Sequence, residues 1–138
     1  MSTSTLQSAG LLLILLPTVA FGGASILYLW ITRRSDYYRK NPLRQRLWTA
    51  GHAHAGVLLV LSLVAFQYLD AANLTEAMKG VVRLALPSAA IFIPAAYFLS
   101  VLKPDADKPN GLINLAYAGF ITLTIGLLIL GIGLVNAV

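Results

Sequence analysis

Four stretches of this 138-residue chain carry no charged side chain: 1–32, 47–69, 84–102 and 111–138. An ionised group is rarely tolerated in hydrocarbon, and crossing a bilayer takes roughly 20 consecutive apolar residues. Each block meets that length. The sequence therefore predicts an all-α integral membrane protein, a four-transmembrane-helix bundle of one domain over residues 1–138. The helices are expected at about 8–32, 46–69, 82–102 and 111–136. Only 11% of the residues are charged, against about a quarter in soluble domains. The opening MSTSTLQSAG has no Lys or Arg. A secretory leader needs a basic start, so the first block reads as a retained helix.

Charge placement orients the chain. Six of the ten basic residues, Arg33, Arg34, Arg39, Lys40, Arg44 and Arg46, fall in the first loop, and Lys103 and Lys108 in the third. Only Lys79 and Arg83 lie in the second. The positive-inside rule puts loops one and three in the cytoplasm and both termini on the outer side of the cell inner (cytoplasmic) membrane. Basic residues so placed lie against anionic headgroups. They explain the net charge of +5 without a nucleic-acid partner. There is no cysteine, which removes disulfides, iron–sulfur clusters, thiolate ligands and covalent c-type haem.

Depth follows from the helix rise of about 1.5 Å per residue. His54, Tyr97, Asn114 and Tyr117, with Gly22 and Gly23, all fall about 6–16 Å inside the basic boundary. One layer thus collects polar groups from three helices and a bare patch from the fourth. Polar side chains at such depth face the bundle interior, where they pair or bind a ligand. Asn114 and Tyr117, three apart, share a helix face.

The stretch LWTAGHAHAGVLLVLSLV places two histidines in an otherwise oily helix. Residues two apart point about 200° away from each other. His52 and His54 therefore cannot ligate one ion together, nor sandwich one haem within a protomer. A single axial histidine leaves the opposite face of a haem iron open to a small ligand. His54 is the deeper and is the candidate metal ligand, with Gly51, Leu58, Leu61 and Ser62 on its side. Neighbouring Ala and Gly residues leave room for a flat ring. His52, nearer the headgroups, is expected to hold a propionate, contact another subunit, or snorkel. Gly22 and Gly23, beside Phe21, offer either a cofactor groove or plain packing, and Pro17 should kink that helix. Gly119, Gly126 and Gly133 recur at steps of seven, a stripe for close helix packing within the bundle or between subunits.

Three segments carry a family resemblance: GHAHAG at 51–56, AYFLS at 96–100 and AFGG at 20–23. They resemble styrene oxide isomerase, a small four-helix membrane enzyme with motifs of the form R-A-H-S-G and F-Y-L-F-S. The resemblance implies haem b, with iron held by His54 and Tyr97 at the substrate site. It implies a trimer with haem between subunits, a small apolar substrate, and Lewis-acid isomerisation of an epoxide to an aldehyde. The chain departs from the pattern at two positions. The family's substrate-binding Asn corresponds to Val60 here, and its Arg to His52. Asn114 or Ser62 are the candidates to replace the missing amide, with Asn114 and Tyr97 then catalytic. Tyr117 would line the cofactor with His52, Gly22 and Gly23.

Other readings of the same residues are a haem-based gas-binding or haem-carrier protein, a non-enzymatic subunit of a membrane complex, and a small transporter. Proton-coupled transport normally uses a carboxylate within the membrane. Asp36, Asp70, Glu76, Asp105 and Asp107 all sit in or beside loops.

Overall fold

The computed structural model describes residues 1–138 and is helical almost throughout, without strands. Helix α1 spans Thr3–Thr32, the short α2 Asp36–Arg39, α3 Pro42–Leu69, α4 Glu76–Leu99 and α5 Leu115–Val135, the last entered through a 3-10 turn at Gly111–Asn114. Helices α1, α3, α4 and α5 with its entry turn are each long and apolar enough to cross a membrane.

Helices α1, α3 and α4 begin earlier than hydropathy suggests, because their starts are set by caps. Ser2, Asn41 and Thr75 each accept a hydrogen bond from a backbone N–H in the first turn of α1, α3 and α4. Each satisfies a donor that the helix itself leaves unpaired. Pro42, as the first residue of α3, loses nothing by lacking an N–H there. Hydropathy marks where hydrocarbon begins, whereas a cap marks where the helix begins. At its far end α4 stops at Leu99 rather than at 102, capped by Ser100. Helix α1 runs continuously through Pro17, and α4 through Pro87 and Pro94.

Packing follows chain order: α1 lies on α3, α3 on α4, and α4 on α5, while α1 and α5 do not touch. Helix α4 is the centre, with Val82, Leu86, Ala89, Ile93 and Ala96 fully buried. Lipid chains are as apolar as Leu, so close backbone approach has to hold such helices together. The stripe on α5 supplies it. A Cβ at Gly119 would sit 2.5 Å from Ile93 Cγ1, at Gly126 2.6 Å from Leu86 Cδ2, and at Gly133 2.5 Å from Leu74 Cγ. Seven residues are nearly two helical turns, so the three glycines stay on the α4 side. The stripe is a seam within the chain. Gly131, off the stripe, faces open space.

Polar contacts tie both ends. At the end holding the termini, Asp70 accepts hydrogen bonds from the Ser2 backbone N–H at 2.6 Å and the Thr5 hydroxyl at 3.2 Å. Desolvation pushes the Asp70 carboxyl up, but the bonds from Ser2 and Thr5 and the charge of Lys79 together bring it below its usual value. At the basic end Arg44 is fully buried. Its Nε donates to the Val101 carbonyl at 3.0 Å, and its other nitrogens donate to the carbonyls of Tyr37 and Lys103. The Tyr37 ring lies 3.7 Å from the guanidinium carbon. A planar fork of donors suits three converging carbonyls, and an aromatic face suits the cation. Arg44 therefore clasps the first loop to the third and is not a headgroup contact, which corrects the reading from charge count. The Lys40 and then the Arg39 hydrogen bonds hold the Asp36 carboxyl low, so those cations are partly spent as well.

Candidate functional site

The two histidines diverge, as their spacing requires, into different seams. His52 points to α1. A Cβ at Gly23 would lie 2.6 Å from His52 Nε2 and 2.8 Å from Cε1, and one at Gly22 would lie 4.0 Å from Nδ1. The bare surface at Gly23 is therefore taken by the His52 imidazole, with Gly22 at its margin. Helix α1 can approach α3 at this level only because position 23 lacks a side chain.

His54 points to the α3–α4 seam and meets Tyr97. Their ring centroids are 5.3 Å apart with planes at 71°, an edge-on contact. Gly51 makes this approach possible: a Cβ there would lie 3.2 Å from Tyr97 Cβ and 3.1 Å from Phe98 Cε2. His54 Nδ1 lies 2.7 Å from the Ala50 carbonyl oxygen. A carbonyl can only accept, so Nδ1 carries the proton and donates it. In the neutral ring the lone pair is then on Nε2, which has no hydrogen-bond partner in the chain. Metal-bound histidines commonly donate their second nitrogen in this way.

The level expected for the polar layer is thus occupied, but not by every residue assigned to it. Asn114 closes the 3-10 turn and is exposed, without a side-chain hydrogen bond. Tyr117 is 68% exposed and borders a shallow groove with Phe120, Ile121 and Thr124 on the outer face of α5. Helix α5 reaches its neighbours through the glycine stripe, and that choice turns Asn114 and Tyr117 outward. No hydrogen bond or ring contact joins them to His54 and Tyr97. Val60 is 49% exposed on a different face of α3. Ser62 is buried and donates to the Leu58 carbonyl at 2.8 Å, so its proton is committed. No side-chain amide hydrogen-bonds to the His54–Tyr97 pair.

Aromatic residues that motif reading passed over support the site from the basic end. Trp48 packs against Tyr38, Phe98 and Tyr37 at centroid distances of 5.7, 5.9 and 6.1 Å. Its indole N–H is buried without a partner. Phe98 in turn covers Gly51. The signal in the sequence was the glycine opening GHAHAG, against which Tyr97 and Phe98 of α4 pack.

No group of three His, Asp or Glu side chains is gathered in the chain. Comparison with protein-family models, curated proteins and solved structures finds no match.

Proposed function

We propose that this chain is a haem b protein of the cytoplasmic membrane, with its termini outside, in which His54 is the single axial ligand. The observation that carries the reading is the state of His54. Its Nδ1 is held by the Ala50 carbonyl at 2.7 Å, its Nε2 is free, and a phenol-bearing ring is edge-on beside it. This donor set fits haem iron, which accepts one neutral imidazole nitrogen. None of the five main surface clefts is lined by His54 or Tyr97. On this reading the residues of one protomer would hold the group through His54, and a second copy would supply the rest of its surroundings. The resemblance to styrene oxide isomerase implies a trimer.

Bound there, haem b would supply an iron centre able to polarise an oxygen atom. Ala50 fixes the tautomer and rotation of His54. Tyr97 offers a hydroxyl donor to a small apolar ligand, and the apolar helices exclude water. The corresponding reaction class is redox-neutral: a C–O bond of an epoxide breaks, a hydride moves to the adjacent carbon, and a carbonyl forms. A second reading shares the site without the chemistry, as a haem-based gas-binding or haem-carrier protein. It is favoured by position 60, where the resembling enzymes carry an amide: here it is a valine, exposed on a face of α3 away from His54.

The test is an absorption spectrum of detergent-purified wild type and His54→Ala, oxidised and reduced. Near-stoichiometric Soret absorbance in the wild type, lost in the variant, is expected. A variant with full haem, or a colourless wild type that takes up no added hemin, would overturn the reading. Conversion of styrene oxide to an aldehyde by the haem-loaded protein separates the enzyme from the carrier.

A further inference from the structure

Near the basic end, α1 and the α2–α3 segment part to leave a cleft of about 330 Å³ lined by Leu29, Trp30, Arg33, Tyr38, Arg39 and Gln45. Through Trp30 and Gln45 it continues into a groove of about 460 Å³ over Thr49, Ala50 and Ala53, with Arg46 at its edge. The walls are fixed. Trp30 Nε1 donates to the Tyr38 hydroxyl at 2.5 Å, and Gln45 Nε2 donates to the carbonyls of Arg39 at 2.8 Å and Tyr38 at 3.2 Å.

The charges at this cleft are one-sided, as no carboxylate lines either part. Arg39 is paired with Asp36 at 2.9 Å, whereas Arg33 and Arg46 have no ion pair or side-chain hydrogen bond. Arg33 adopts a left-handed backbone, φ 51°, which ends α1 and turns the chain at the cleft mouth. Beyond Ala53 the same face of α3 continues as exposed Val57, Val60 and Val64. Two free guanidinium groups thus stand at the head of an apolar track. An inorganic anion would use only the first feature, while an acyl-bearing anion uses both.

We propose that this cleft binds one anionic phospholipid, its phosphodiester between Arg33 and Arg46 and an acyl chain over Ala53 and Val57. The site is separate from His54 and does not depend on the haem reading.

Native mass spectrometry of the full chain in neutral detergent tests it, with phosphatidylglycerol and phosphatidylcholine as the probe lipids. The wild type should retain phosphatidylglycerol roughly ten- to thirty-fold over phosphatidylcholine, the order expected from two cations at a membrane surface. Arg33→Gln with Arg46→Gln should bring the ratio to about one. Ala53→Trp should remove the bound lipid by filling the groove without changing charge. Lys103→Gln with Lys108→Gln, an equal charge change at the same end outside the cleft, should leave the ratio intact. Circular dichroism checks that each variant keeps its helices. The proposal is overturned by a wild type without preference, by equal loss in the Lys103 and Lys108 control, by an Ala53→Trp variant that keeps its lipid, or by inorganic phosphate displacing the lipid at equal concentration.

Discussion

Replacing Gly23 by Ala tests whether His52 belongs to the α1–α3 seam. The new methyl would sit 2.6 Å from His52 Nε2 and 2.8 Å from Cε1, where ordinary contact begins near 3.5 Å. The overlap of nearly 1 Å involves two ring atoms. The imidazole is rigid and α3 is fixed on its other side by α4, so either the His52 rotamer or α1 must shift. Overpacking of this kind costs about 1–3 kcal/mol. Alanine returns up to about 1 kcal/mol through helix propensity, so the net loss is at most about 2 kcal/mol when that return is complete. For a chain of this size that lowers the midpoint by up to roughly 8 °C. His52→Ala alone removes packing, but in the double variant the new methyl meets no ring. The double variant should therefore be more stable than the sum of the single changes by the overpacking term, about 1–3 kcal/mol. The assay is thermal unfolding of the four proteins in one detergent, followed by circular dichroism. Additive losses would mean that His52 does not occupy the bare surface of Gly23, and the seam assignment would fail.

Three further outcomes are expected. Gly119→Ala meets Ile93 Cγ1 at 2.5 Å and the Ile93 backbone nitrogen at 3.1 Å, whereas Gly131→Ala meets nothing within 4 Å. The first should destabilise by about 1–2 kcal/mol and the second stabilise by up to about 1 kcal/mol, and thermal shifts of equal sign would count against the seam. Arg44→Met leaves three carbonyls without their donor and should cost about 3–5 kcal/mol; Arg44→Lys keeps the charge but not the fork, so its loss should be smaller. Because the folded Asp70 carboxyl lies below the usual 3.8, its contribution is present above that value and lost as pH falls through the lower folded value. Amide exchange at Thr3–Thr5 should accelerate on that acid limb in the wild type, and Asp70→Asn should show faster exchange already at neutral pH with the acid limb flattened.

The sequence by itself determined the helical class and the four long apolar helices. It also determined that His52 and His54 point to different sides, since that follows from helix geometry alone. It could not decide which of these residues face inward. A helix that meets lipid on one side and protein on the other is apolar all round, so hydrophobic pattern does not fix its rotation about its own axis. Close packing fixes it, and the glycines are where that decision is made. Gly119, Gly126 and Gly133 turn α5 so that Asn114 and Tyr117 face out. Gly51 brings Tyr97 to His54, and Gly23 gives the surface beside α1 to His52. Arg44 shows the same limit for charge. Composition counts it with the other basic loop residues, yet three carbonyls brought together only by the folded loops draw it into the interior.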